Sequence, residues 1–276
     1  MIDIAGALLE LHNAQSDNRH DDAAGTVLFD PPIFAIAGAA DPWFERFKQV
    51  IGPHHWTPQE AIVRIAPPAV ARSVVCWALP ITEAVRASNR VEKLTPSRLW
   101  AYQRTHADSI LMGMSRGLEE WLRALGHAAI APAQASPRPG EQHPELGSFW
   151  SQRHVAFVSG LGTFGISGGL ITQRGIAHRL GSVVTSAALP VSPRAYGDDP
   201  FAWCLRSAKG TCGACIQRCP VGSVGQTQQD RNVKACDQHR TTIRGQAATK
   251  YGWQTAHYGC GLCQTAVPCE ARRPVE

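Results

Sequence analysis

Apolar residues recur at helical spacing through residues 4–11 and predict a short N-terminal helix. Pro31, Pro32, Pro42 and Pro53 then interrupt the pattern, which reads as loops and short helices to about residue 68. Residues 69–79 form a continuous apolar run after Pro67-Pro68, as expected of a central strand buried on both faces. Cys76 lies inside that run and reads as a small core hydrophobe. Thr95 as N-cap and Pro96 at the first helical position predict a long helix running to Gly126. Its positions Leu111, Met114, Leu118, Trp121, Leu122 and Leu125 make a core-facing stripe. Residues 131–144, rich in Pro, Ala and Gly, predict a surface loop. A helix over 151–159 leads into a glycine-rich segment, 160–169, followed by strand-like runs at 170–173 and 182–189. Residues 190–200 form a Pro/Gly-rich seam, and no internal repeat interrupts this order.

Beyond the seam the pattern is set by cysteine. Eight of the nine cysteines are Cys204, Cys212, Cys215, Cys219, Cys236, Cys260, Cys263 and Cys269. Cys212-x2-Cys215-x3-Cys219-Pro220 matches the back half of the bacterial ferredoxin run, in which the cysteine before proline ligates the other of two clusters. Eight thiolates suffice for two four-iron clusters. A full run would place its first cysteine at position 209, which is Lys209. Cys204, followed by a loop ending at Gly210, is the expected replacement; a free Cys204 beside a three-iron cluster or a non-cysteine ligand is the alternative. Cross-ligation by the cysteine–proline pair then divides the set into Cys204, Cys212, Cys215, Cys269 and Cys219, Cys236, Cys260, Cys263. Paired Cys-x2-Cys knuckles also suit zinc, but zinc has no use for the cysteine–proline step and the small residues after it.

Composition narrows the setting. The 276 residues are 44% hydrophobic, enough for one large domain and a small one. No stretch is long and apolar enough to span a membrane. Met1-Ile2-Asp3-Ile4 shows no basic region leading into an apolar core, so a cytoplasmic protein using its cysteines for metal or redox chemistry is expected. The net charge of +5 is mild, and Arg64, Arg72, Arg86, Arg90, Arg104, Arg116 and Arg123 are scattered, which reads as ordinary solubility charge.

Gly160-x-Gly162-x-x-Gly165 has the letters of a dinucleotide fingerprint but not its surroundings. A helix precedes it, a strand follows, and the segment after Gly181 supplies no acid, which excludes a Rossmann site. The glycines suit either tight turns in a packed core or close backbone approach to a large flat ligand.

Three stretches carry a family resemblance: 153–172 (Arg153-His-Val-Ala-Phe-Val-Ser-Gly-Leu-Gly-Thr-Phe-Gly-Ile-Ser-Gly-Gly-Leu-Ile-Thr172), 181–185 (Gly181-Ser-Val-Val-Thr185) and the cysteine module. Together with Asp41-Pro42, Ile51-Gly-Pro-His54 and Tyr258-Gly-Cys-Gly-Leu-Cys-Gln264, they resemble the epoxyqueuosine reductase family and its short relatives, from about Phe29 to Cys269. The family is in turn distantly similar to the respiratory reductive dehalogenases. The resemblance implies an α+β fold: a nitroreductase-like cobalamin-binding domain, residues 1–195, followed by a bacterial ferredoxin-like module with two [4Fe-4S] clusters, residues 196–276. It implies a base-off cobalamin above the nearer cluster, lined by Gly160, Leu161, Gly162, Thr163, Phe164, Gly165, Gly168 and Gly169. A ferredoxin or flavodoxin would supply electrons, and cobalt would be reduced to its nucleophilic Co(I) state.

The family's proton-donating aspartate lies near the start of the long helix. The matching stretch, 102–109, differs locally, so Asp108 is the nearest candidate, with His106 and Tyr102 as alternatives. His54, His55, His143 and His154 are candidate corrinoid or substrate ligands, each more often a structural histidine. The chain ends seven residues past Cys269, without the helical-repeat extension of full-length members, so a small molecule is expected as substrate rather than queuosine-modified tRNA. Two other functions fit the same residues: a partner that reactivates the corrinoid of another enzyme, and a plain electron carrier.

Overall fold

A computed structural model describes residues 2–20, 25–135, 148–251 and 259–275. Its helices are α1 (Ile4–Asn13), α2 (Trp43–Val50), α3 (Pro58–Ile62), α4 (Glu83–Arg90), α5 (Arg98–Ala124), α6 (Gln152–Ser159), α7 (Leu205–Lys209), α8 (Ala214–Gln217) and α9 (Val233–Tyr251). The strands are β1 (Ile33–Gly38), β2 (Ser73–Pro80), β3 (Ala129–Ile130), β4 (Gly162–Phe164), β5 (Leu170–Thr172) and β6 (His178–Thr185). Four of them form an antiparallel sheet in the order β1-β2-β6-β3, and β4 and β5 make a separate hairpin. The fold is mixed α+β, as the sequence pattern and the resemblance imply.

The sheet is the middle of three layers. Strand β2 is buried along its whole length, and its period of two divides its side chains between two cores. Val75, Trp77 and Leu79 meet α1 and α5 through Leu8, Ile110, Met114 and Leu118. Val74 and Cys76 meet α2 and α6 through Phe44, Phe47, Val155 and Phe157. That second core runs on without a break into Tyr196, Trp203, Cys204, Val224 and Val267, so the cysteine-rich segment packs directly on the sheet layer.

Three elements depart from the sequence pattern. The stretch read as loops and short helices contains β1, an edge strand that begins after Pro31-Pro32; the missing proline N–H groups cost nothing at a strand start on an edge. Helix α5 starts later than Thr95-Pro96 suggests, because Ser97 caps it: its hydroxyl accepts from Trp100 N–H at 3.1 Å while Asn89 Oδ1 accepts from Ser97 N–H at 2.9 Å. The last sheet strand covers His178–Thr185 rather than 182–189, since the polar pair His178-Arg179 conceals its beginning. Residues 136–144 of the predicted surface loop lie outside the described residues.

The chain's C-terminal segment is tied back to the large layer by backbone. Ile176 N–H donates to Cys269 C=O at 2.8 Å and Ala177 N–H to Glu270 C=O at 3.1 Å, directly ahead of β6. Gly175 makes this possible: its φ is +84°, and a Cβ there would overlap the Glu270 carbonyl. Gly175→Ala should therefore strain this junction by about 1–3 kcal/mol. Hydrogen exchange checks it: the Ile176 and Ala177 amides should lose protection while the α5 amides keep theirs, and unchanged protection at 176 and 177 would refute the role.

Candidate metal centre and adjoining cleft

The eight cysteines come from separate short elements. Cys204 caps α7, Cys212 follows its loop, Cys215 lies in α8, and Cys219 comes just past the end of α8. Cys236 sits in the first turn of α9, Cys263 in a 3-10 turn over Leu262–Gln264, and Cys260 and Cys269 flank that turn. All nine cysteines are free of disulfides. Burial, with repulsion from other cysteines, raises four of these thiols. Burial pushes the Cys215 thiol up to about 11, with Cys204 and Cys212 adding to the shift. Burial also raises Cys269, helped by Cys215, Cys204 and Cys212. Cys260 is raised to about 11 by burial, with Cys236 and Cys219 beside it, and Cys263 to about 12 by burial, Cys260, Cys215, Cys236 and Cys219. Cys204, Cys212, Cys215 and Cys269 line one space and Cys219, Cys236, Cys260 and Cys263 line another, with Cys263 and Cys215 interacting across the two.

Four thiols line each of two spaces, a donor number that fits a four-iron centre with one thiolate at each iron. Among the described residues, no three His, Cys, Asp or Glu side chains converge on one ion position. A tetrahedral zinc needs four sulfurs at about 2.3 Å from a point, whereas a four-iron cube takes one thiolate at each iron and spreads them. Thiols held at 11–12 stay protonated at neutral pH until a cation displaces the proton. Ser223 N–H already donates to Cys219 Sγ at 3.1 Å, the kind of bond that tunes a cluster sulfur.

The second group of cysteines forms one wall of a cleft. A hollow of about 400 Å3 is lined by Cys219, Cys236, Cys260 and Cys263 on one side and by Arg104, Arg153 and Arg179 among others. A second hollow of about 370 Å3 shares Arg104, Arg153, Gly169, Arg179 and Gln264 with it and adds Asp108 and His178. The cysteines of the first group lie elsewhere: Cys204, Cys212, Cys215 and Cys269 line a small, separate apolar space with Ile166 and Pro268. Three polar atoms on the cleft's lining are buried and unpartnered: Arg179 Nε, Gln264 Oε1 and His178 Nδ1. One donor and two acceptors left open at a concave wall suit the peripheral amides of a corrin, which both donate and accept.

Of the glycine segment, only part reaches this cleft. Ser167 and Gly169 line it. A Cβ on Gly162 would overlap the Ile171 carbonyl across the β4–β5 hairpin, so the chain itself requires that glycine. Leu161, Thr163 and Phe164 are core residues; Thr163 Oγ1 accepts from Trp203 N–H at 2.9 Å. Gly165 lines the small space beside the first cysteine group, Gly168 faces the Arg231 guanidinium, and Gly160 ends α6 at φ +96°.

Asp108 lines the second hollow with its side chain 54% exposed, ion-paired to Arg104 one turn before it at 3.0 Å. Tyr102 and His106 stack on each other at 4.2 Å and line neither hollow. His143 and Tyr258 lie outside the described residues. The arginines of the cleft escaped the sequence reading, because Arg104, Arg153, Arg179, Arg231 and Arg240 are dispersed along the chain and only folding brings them together.

The chain matches no protein-family model, and no curated protein is similar to it. Its likeness is to solved structures. The class is a mixed α+β fold, and 27 solved chains match it. In particular, an epoxyqueuosine reductase in complex with an epoxyqueuosine-modified tRNA-Tyr stem loop is 20% identical, over 88% of this chain and 62% of that one, with a TM-score of 0.51. The catabolic reductive dehalogenase NpRdhA, in complex with 3-bromo-4-hydroxybenzoic acid, is 13% identical over 98% of this chain and 36% of that one, with a TM-score of 0.52. A reductive dehalogenase described by a B12-dependent mechanism is 13% identical over 85% and 29%, with a TM-score of 0.50. The chain therefore spans under two thirds of the epoxyqueuosine reductase and about a third of the dehalogenases. At these identities the likeness establishes a shared fold.

Of the candidate histidines in the described residues, His54, His55 and His154 line neither hollow of the cleft. His55 stacks on Trp150 and accepts from Ser151 N–H at 3.0 Å; His154 packs on Phe47 and Phe164 and bonds Ser151 Oγ at 2.7 Å. Burial and then His54 lower His55 to about 4; burial and then Arg153 lower His154 to about 3. Both are neutral in the fold, while an unfolded histidine takes a proton below about 6.5. Stability is therefore complete above pH 6.5 and falls as pH drops toward 4, by up to about 1.4 kcal/mol per pH unit for each histidine. Urea midpoints of the anaerobic protein between pH 7.5 and 5 should show the decline, and His154→Asn should flatten it. Parallel slopes in the two proteins would remove His154 from the account.

Proposed function

We propose that the chain is a cobalamin-dependent iron–sulfur reductase acting on a small molecule, with residues 1–195 holding the corrinoid and residues 196–276 holding two [4Fe-4S] clusters. One observation carries this reading: the second cysteine group and the cleft share a wall, so a centre held by Cys219, Cys236, Cys260 and Cys263 would border whatever the cleft holds. Cys204, Cys212, Cys215 and Cys269 would hold the outer cluster, nearer to a ferredoxin or flavodoxin donor. Bound in these places, the clusters supply electrons at low potential and the corrinoid supplies a metal able to attack or reduce the substrate. Gln264, Arg179 and His178 would orient the corrin periphery through their open polar atoms, and the backbone at Ser167 and Gly169 would border it. Asp108, the carboxyl on the lining, would deliver the proton that a reduced product requires, with Arg104 holding it in place. The fold shared with epoxyqueuosine reductase and with a B12-dependent dehalogenase supports the reading. A plain electron carrier would have no use for a cleft with unpartnered polar atoms at its wall.

Anaerobically reconstituted protein should contain about eight irons and about eight acid-labile sulfides per chain. Stoichiometric zinc without sulfide would overturn the cluster assignment. Cys215→Ser and Cys219→Ser, though their positions are one helical turn apart, should each remove a different paramagnetic signal; loss of the same signal from both would show the partition to be wrong. Cobalamin titrated into the reconstituted protein should shift its optical spectrum to the base-off form, and absence of binding would leave only the electron carrier.

A further inference from the structure

The cleft is more cationic than a corrin requires. Arg104, Arg153, Arg179, Arg231 and Arg240 line its first hollow, and among the described residues lining either hollow Asp108 is the one carboxylate. Asp108 is committed to Arg104, and Arg240 has Asp237 at 3.5 Å. Among the described residues no carboxylate forms an ion pair with Arg153, Arg179 or Arg231, and Asp108 attracts Arg179 only at longer range. Arg153 is held by the Gly168 carbonyl, and Arg179 donates to Gln103 Oε1 at 3.3 Å and to the His178 carbonyl at 3.2 Å, leaving its buried Nε without an acceptor. Like charges crowd one another here. Arg153 is lowered by burial and then by Arg231, and Arg179 is lowered to about 9 by burial and then by Arg104. Unpaired guanidiniums gathered at a concave wall are expensive to keep unless an anion joins them.

We propose that Arg153, Arg179 and Arg231 form an oxyanion site in the cleft, which holds a phosphate or carboxylate group of the molecule bound there. The inference rests on the reductase reading in taking this cleft as the reaction chamber, and it deepens that reading by giving the ligand a charge. A guanidinium presents its N–H groups in a plane that matches two oxygens of one phosphate or carboxylate. The hollow's volume of about 400 Å3 admits a small molecule. The anion has two possible sources: the substrate, or the nucleotide-loop phosphate of the corrinoid. The other use of these arginines would be to balance the charge of a cluster held by Cys219, Cys236, Cys260 and Cys263.

The test is calorimetric titration of cluster-loaded protein with inorganic pyrophosphate. Saturable one-site binding is expected, weakened tenfold or more in Arg179→Gln and in Arg153→Gln and unchanged in Arg116→Gln, which alters an exposed arginine on α5 away from the cleft. Two variants on different elements keep the result readable if one fails to fold. Absence of saturable binding, or equal weakening by Arg116→Gln, overturns the proposal. So does a shifted cluster potential in the cleft variants with pyrophosphate binding intact, which would make the arginines counter-charges. Cobalamin and cobinamide, which lacks the phosphate, then identify the source. Equal affinities assign the anion to the substrate; tighter cobalamin binding, lost in Arg179→Gln, assigns it to the corrinoid. Pyrophosphate binding without binding of either corrinoid would sustain the oxyanion site and overturn the cobalamin reading, so the two fail separately.

Discussion

The arrangement of the cysteines depends on one buried carboxylate. Glu270 follows Cys269, and its side chain, 7% exposed, meets Arg90 at 2.6 Å and Arg86 at 3.2 Å. It also accepts from Ala266 N–H at 2.7 Å, across a turn in which Ala266 takes φ +54°. Removing one member of such a buried pair strands the other and costs about 3–5 kcal/mol. Both arginines lie on α4, so the clamp fastens the C-terminal cysteines to the helix that leads into α5. Arg218, beside Cys219, adds a second tie: it donates to the Glu92 carbonyl at 2.8 Å and to the Thr265 carbonyl at 3.1 Å. These contacts fix where the chain returns and so where the C-terminal cysteines lie relative to α4.

That fixed return gives the molecule a direction. One set of cysteines packs beside an apolar space, and the other faces an arginine-lined cleft between the sheet and α9. Cys215 in α8 lines the apolar space and Cys219 just after α8 lines the cleft, so a few residues of chain connect the two. The large layer contributes the opposite wall through α5, α6 and β6, which supply Arg104, Arg153 and Arg179. The three-layer packing and the cysteine-rich segment therefore make the cleft jointly.

Much of this was legible in the sequence. The unbroken apolar run announced β2, and the three-and-four stripe from Leu111 to Leu122 announced α5, because each pattern has one period and one burial pattern. Spacing and the cysteine–proline step suggested a division of the cysteines into two sets, which the cluster proposal carries forward. The beginning of β6 was hidden because His178 and Arg179 serve the cleft as well as the strand. Gly162 illustrates the opposite case: its letter suggested a ligand contact, while its neighbour is the backbone of β5. The arginine cluster had no local signature at all, because what it has in common is position in space.

Cys76 sets a separate consequence. It is the cysteine outside the two groups, lies wholly buried in β2 between Ala35 and Ser182, and burial raises its thiol well above the ordinary range. A thiol-specific label at neutral pH thus meets two kinds of shelter in one chain. The clustered thiols are half-buried or buried by the fold and, under the proposed reading, would be sheltered further by the clusters they hold, whereas Cys76 is sheltered by the sheet. Labelling of the former would time the emptying of the proposed centre and labelling of Cys76 the opening of the sheet, so a single reagent would read two clocks in the same molecule.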